Sequence, residues 1–210
     1  MLISSKIKNG LQGNVKIPGD KSISHRSIII PSISKGISEI SNILMSDDVL
    51  HTINAMKAMD VKINTSNNKI IIHGNGLNSL KKPLKDIYLG NSGTSARLLA
   101  GLLSTQNFNS TLTGDKSLSS RPMKRITVPI ELMGGKFEHK NGTLPVNIQG
   151  KELEPISYKI PVPSAQVKSG IILAALNTKG QTTINETSIT RDHTEIMLKS
   201  FGANIAIKKE

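Results

Sequence analysis

The chain has 210 residues, 37% hydrophobic and 20% charged, which is enough for a packed core in one large or two small domains. Cys is absent, which excludes a disulfide framework or a thiolate metal site, and the five His show no ligand spacing, so no metal and no cofactor is expected. The net charge of +12 suits acidic partners, but aromatics are only 2% and the Lys residues are scattered, so nucleic acid is not the expected partner; no apolar run long enough for a bilayer and no leader-like start is present, so the expected location is the cytoplasm, away from membranes.

In chain order, residues 1–18 read as a strand, a turn at Asn9 and Gly10, and a second strand. The phrase Gly19-Asp20-Lys21-Ser22-Ile23-Ser24-His25-Arg26 opens a helix over 24–34. Residues 36–44 alternate like a strand, and 47–59 carry Val49, Ile53, Met56 and Met59 near helical spacing. Two strands follow over 61–64 and 69–73. The series then recurs. Gly90-Asn91-Ser92-Gly93-Thr94-Ser95-Ala96-Arg97 opens a helix over 94–105, followed by a strand at 110–113 and a helix at 123–133. Two strands, 136–139 and 144–148, flank a turn at Asn141 and Gly142. A third pass begins at Pro163-Ser164-Ala165-Gln166, with a helix over 165–176, a strand at 182–186, a helix at 193–201 and a strand at 204–207.

The expected fold is therefore α/β (α+β), made of three repeats of a strand–helix unit at about 18–85, 86–152 and 153–210, the last one incomplete. A chain ending inside a hairpin leaves an unpaired edge, so a longer parent protein is expected, with 1–17 belonging to a domain that the missing half completes.

Each repeat puts small and hydroxyl residues at a helix start with a cation in reach, which suits anions because the first N–H groups of a helix are free and its dipole end is positive. Lys21, Ser22 and Arg26 fall within six residues of one start; they read as anion-seeking groups or as a cap with two solvated cations. Asn91 and Gly93 form a second start, where Gly93 admits close approach to the backbone and Arg97 lies one turn on. Arg121 precedes Pro122, read as the first residue of a helix; a cation there opposes the helix dipole unless an anion intervenes. Ser164, Ala165 and Gln166 open a third start, and Arg191 and Asp192 a fourth, with Asp192 as cap. Asp47 and Asp48 read first as capping residues. No Walker loop, dinucleotide fingerprint or Ser–His–Asp order is present.

Five of these stretches, 18–26, 89–97, 114–123, 164–169 and 191–195, together resemble 5-enolpyruvylshikimate-3-phosphate synthases, in the family's order and over nearly the whole chain. The resemblance implies a two-domain parent of which this chain is roughly the N-terminal half. It implies transfer of the enolpyruvyl group of phosphoenolpyruvate to the 5-hydroxyl of shikimate 3-phosphate with release of phosphate, as a step toward chorismate and aromatic amino acids. By motif match Lys21 would contact both substrates, Ser22, Arg26 and Arg191 shikimate 3-phosphate, and Gly93 and Arg121 phosphoenolpyruvate. Ser164 and Ala165 would hold the 3-phosphate and Gln166 would lie between the substrates, with Asn91 and Asp48 ordering the site. Gly93 further implies a glyphosate-sensitive parent. The principal acid–base groups would come from the missing C-terminal domain, leaving this chain inactive alone. Two alternatives are the related UDP-N-acetylglucosamine enolpyruvyl transferase, which typically carries a reactive Cys that this chain lacks, and a non-catalytic anion-binding half that needs a partner chain.

Overall fold

The structure, a computed structural model, describes residues 12–66 and 69–208. The strand pair expected over 1–18 lies mostly outside that range, and its described part, 12–18, is irregular. Helix α1 (Lys21–Ser32) begins where the Asp20 carboxylate accepts the Ile23 N–H at 2.8 Å. Strand β1 (Lys35–Ser41), helix α2 (Asp47–Ala58) and the hairpin β2 (Lys62–Ser66) and β3 (Lys69–Asn75) follow. These strands form an antiparallel sheet in the order β1-β3-β2, with Ile40 opposite Ile70 and Ile63 opposite Ile72. Ile70 and Ile72 are buried while the alternate residues face outward, which fixes the register.

Strand β4 (Ile87–Tyr88) leads into helix α3 (Gly93–Leu103), then β5 (Asn109–Thr113), a one-turn helix α4 (Lys116–Ser119), α5 (Lys124–Leu132), β6 (Lys136–His139) and β7 (Val146–Gln149). Their sheet runs β4-β5-β7-β6, with β4 parallel to β5 and the rest antiparallel. Asn141 (φ 57°) and Gly142 (φ 75°) both take the left-handed conformation within the β6–β7 connection, which Asn and Gly adopt more readily than other residues. Strand β8 (Ser157–Ile160), helix α6 (Ala165–Ala175), β9 (Thr183–Glu186), parallel to β8, and α7 (His193–Ser200) complete the described chain. No helix among the described residues is long and apolar enough to cross a membrane.

The helices pack between the sheets. Nearly all of α3 is buried, and it crosses α6 with main chain against main chain: a Cβ on Gly101 would lie 1.9 Å from the Gly170 carbonyl oxygen. Leu98, Leu99, Leu102, Ile126, Ile171 and Leu173 close the core around that crossing.

Four expectations are corrected. Residues 204–207 are not a strand, because no ladder partner faces them among the described residues. The second helix of the middle stretch begins at Lys124 with Met123 as N-cap, so Pro122 is not its first residue. Asp192 occupies the N-cap of α7 but accepts no capping hydrogen bond. At α2 the cap position is Ser46, also without a side-chain bond; Asp47 and Asp48 lie in the first helical turn, where their charge favours the dipole.

Candidate active site

The starts of α1, α2, α3 and α6 meet at one polar cavity of about 560 Å³. Its wall takes Lys21 and Ser22 from α1, Asp48 from α2, Gly93, Thr94 and Arg97 from α3, and Gln166 from α6. The intervening loops add Asn91, Arg121 and Arg191. Four cations therefore face two carboxylates, and one of those, Asp20, is engaged in capping α1. Positive charge and free helix N–H groups converge, which is an arrangement for a small molecule carrying several negative charges.

Lys21 Nζ lies 3.1 Å from Asp48 Oδ2 in a pair open to solvent, which holds the ammonium loosely at the rim. Arg121 donates to Asn91 Oδ1, and to Ser117 Oγ at 3.2 Å. It follows the carbonyl end of α4, its own N–H bonding the Leu118 carbonyl at 3.0 Å. Arg121 therefore does not oppose the α5 dipole as its sequence position suggests, since α5 begins three residues later, yet the guanidinium still reaches the cavity.

Arg97 forms the floor. Its Nη1 donates to the Gly93 carbonyl at 2.9 Å and to Gln166 Oε1 at 3.2 Å, and its Nη2 to the Pro122 carbonyl at 3.1 Å. Burial, then the nearby Arg121 and Arg125, lower its pKa from the usual value. Clustered guanidinium groups of this kind are relieved when an anion enters between them. Gln166 is held in turn, with Nε2 donating to Thr94 Oγ1 at 3.1 Å. A Cβ on Gly93 would lie 2.8 Å from Arg97 Nη1 and 3.3 Å from Arg121 Nη1, so both guanidinium ends would have to shift to admit it. Arg191 Nη1 donates to Ser22 Oγ at 3.1 Å and bridges α7's approach loop to α1.

Three residues singled out from sequence stand off the wall. Arg26 is 3% exposed and its guanidinium faces inward. It donates to Thr194 Oγ1 at 2.5 Å, the Ser22 carbonyl at 2.8 Å and Ser169 Oγ at 2.7 Å, tying α1 to α6 and α7. Ser164 caps α6, its Oγ accepting the Val167 N–H at 3.4 Å, and Ala165 is that helix's first residue. Conversely, the sequence places Arg97 one turn past the second helix start without assigning it a ligand, and gives no role to Thr94, although both line the cavity beside Gly93.

A buried ion cluster anchors the Arg191 loop. Lys168 Nζ lies 2.7 Å from Glu186 Oε2 and 2.6 Å from Glu195 Oε1, and Thr190 donates to the other Glu186 oxygen. Burial works against the Lys168 charge, but the hydrogen bonds to both carboxylates outweigh it and raise its pKa.

An α/β domain whose helix starts and arginines surround one cavity carries the charge to hold a small polyanion. The family model for EPSP synthase (3-phosphoshikimate 1-carboxyvinyltransferase) matches residues 5–210, and the chain belongs to that family. It is 52% identical over 198 residues to a 3-phosphoshikimate 1-carboxyvinyltransferase of Caldicellulosiruptor bescii, covering 93% of this chain and 46% of that protein. A namesake from Ruthia magnifica is 51% identical over 205 residues, covering 97% and 47%. A solved EPSP synthase from Acinetobacter baumannii superposes with a TM-score of 0.91 at 46% identity, over 93% of this chain and 45% of that one. The chain thus spans about half the length of the relatives it matches.

Proposed function

We propose that this chain supplies one half of an enolpyruvyl transfer site, with groups for both shikimate 3-phosphate and phosphoenolpyruvate. The observation that carries the reading is the convergence of Lys21, Arg97, Arg121 and Arg191 with four helix starts on one cavity. Two phosphates and two carboxylates must lie close together in that reaction, and fixed cations and helix N–H groups offset their repulsion. In the reaction the 5-oxygen of shikimate 3-phosphate bonds to C2 of phosphoenolpyruvate, the 5-hydroxyl proton leaves and a proton adds at C3. Elimination then breaks the C2–O bond to phosphate while C3 gives up a proton, and the electron pair of that C–H bond returns the double bond.

In this reading Arg191, Ser22 and the start of α6 at Ser164 and Ala165 hold shikimate 3-phosphate. Arg121, Gly93 and Arg97 take the carboxylate and phosphate of phosphoenolpyruvate, while Lys21 and Gln166 stand between the two. Arg26 acts on shikimate 3-phosphate from behind the wall, by fixing Ser22 through its carbonyl. The chain's own contribution is to bind and orient. Proton transfer falls to the second domain of a cytoplasmic parent, built like this one from three strand–helix repeats, with 1–17 on its side of the boundary. The 210-residue chain then binds ligand without turnover.

The test is calorimetric titration of this chain with shikimate 3-phosphate beside an Arg191→Ala variant. Saturable binding weakened at least about tenfold by the substitution, the loss of one charge-assisted pair, is expected. A folded chain that shows no binding, alone and with a separately produced C-terminal half, overturns the reading.

A further inference from the structure

Behind the cavity wall lies a polar cluster that touches no solvent. His25, Thr52 and Ser95 are each 0% exposed and Ser92 is 1% exposed. His25 Nδ1 is 2.8 Å from Thr52 Oγ1 and 3.2 Å from Ser95 Oγ, and its Nε2 is 3.5 Å from Ser92 Oγ. Ser95 Oγ is also 2.6 Å from Thr52 Oγ1 and 2.8 Å from Ser92 Oγ. One imidazole therefore joins α1, α2 and the start of α3.

The cluster reaches the wall at two points. Thr52 Oγ1 donates to the Asp48 carbonyl at 3.2 Å, and Asp48 holds Lys21. Ser92 caps α3 through the Ser95 N–H at 3.2 Å, and Asn91, Gly93 and Thr94 sit on that same turn. One proton arrangement satisfies the cluster with a neutral ring: Nδ1–H donates to Thr52, and the Ser92 hydroxyl donates to Nε2. Burial keeps the ring neutral, lowering its pKa to about 4. A buried polar group of this kind is costly unless its partners are in place, so the cluster holds its three helices in one arrangement.

We infer that His25 is a positioning residue for the anion site, setting the Lys21–Asp48 pair against the Asn91–Thr94 turn without touching a ligand. This rests on the shikimate 3-phosphate reading above and goes beyond it by assigning a role to a side chain outside the cavity wall. It predicts a specific pattern. His25→Leu fills the volume but removes both ring nitrogens, which leaves Thr52, Ser92 and Ser95 without their common partner. His25→Asn keeps a short-range donor for Thr52.

The experiment has two readouts on the 210-residue chain. Titration with shikimate 3-phosphate should show at least a tenfold loss in His25→Leu and recovery to within threefold of wild type in His25→Asn. Ile148→Ala, which opens the core beneath the β4-β5-β7-β6 sheet, serves as a destabilised control and should leave affinity unchanged. Amide hydrogen exchange without ligand should show the Ser95 and Thr52 amides exchanging at least tenfold faster in His25→Leu, with α5 unaffected. Equal exchange at those amides in wild type and His25→Leu refutes the positioning role, whatever the ligand does. Equal affinity in the two chains refutes it as well, as does an affinity loss matched by Ile148→Ala. If wild type does not bind shikimate 3-phosphate, either alone or with a separately produced C-terminal half, the functional reading fails separately, and the exchange data still decide the role of His25.

Discussion

Acidification should weaken this domain through His25. The imidazole has a pKa of about 4 in the folded chain against 6.5 for an unperturbed ring, because burial disfavours its charge more than Asp48 favours it. Below pH 6.5 the unfolded chain takes up a proton at this position and the folded chain does not. Stability therefore falls as pH drops from about 6.5 toward 4, and the full contribution is present above 6.5. The gap between the two pKa values corresponds to about 3 kcal/mol in all, of which about 2 kcal/mol is lost by pH 5. Urea unfolding at pH 7 and pH 5 measures it, with His25→Asn as the reference that cannot titrate. Carboxylates and the other histidines contribute equally to both chains, so the difference between the two pH dependences isolates His25. Wild type should lose about 2 kcal/mol more than His25→Asn over that interval. Parallel pH dependences would refute the claim that a neutral ring is sealed at this position.

Gly93→Ala should push the Arg97 and Arg121 guanidinium groups apart, since its Cβ begins 2.8 Å from one and 3.3 Å from the other. With shikimate 3-phosphate saturating, phosphoenolpyruvate affinity should fall about five- to tenfold, or about 1 kcal/mol, with shikimate 3-phosphate affinity changed less than twofold; calorimetry reads both, and equal losses for the two ligands would count against the division of the cavity. Lys168→Met strands two largely buried carboxylates, Glu186 and Glu195. It should cost about 3–5 kcal/mol and lower the thermal midpoint by roughly 10 °C, and an unchanged midpoint would show that the cluster holds nothing.

The helices were legible because their starts carry recognisable chemistry. Asp20, Ser92 and Ser164 each accept a backbone N–H three residues on, and apolar spacing behind them is regular. Elements without that support escaped reading: β4 has two residues, α4 has four, and β8 sits in a Pro-rich connection. The short α4 misled the reading of Arg121, because it places a helix C-terminus where only an N-terminus was expected. Side-chain direction was the deeper difficulty. Arg26 and Arg97 each lie one turn past a small-residue helix start and each donates back to the carbonyl four residues earlier, at 2.8 Å and 2.9 Å. One then meets Ser169 and Thr194 inside the protein, and the other faces the cavity. The partner across the gap decides which is which, and it comes from a segment some 70 to 170 positions away in the chain.

The close crossing of α3 and α6 has a consequence for how this site can change over evolutionary time. At Gly101 and Gly170 no side chain separates the helices, so their spacing is a backbone dimension. Arg97 and Gln166 ride on these same two helices and meet over the cavity. Exchanges among the surrounding leucines and isoleucines alter how firmly the domain holds together without rescaling the distance between those two groups. Glycine at the crossing thus works as a fixed gauge, under which the interior can change in sequence without altering the spacing of Arg97 and Gln166.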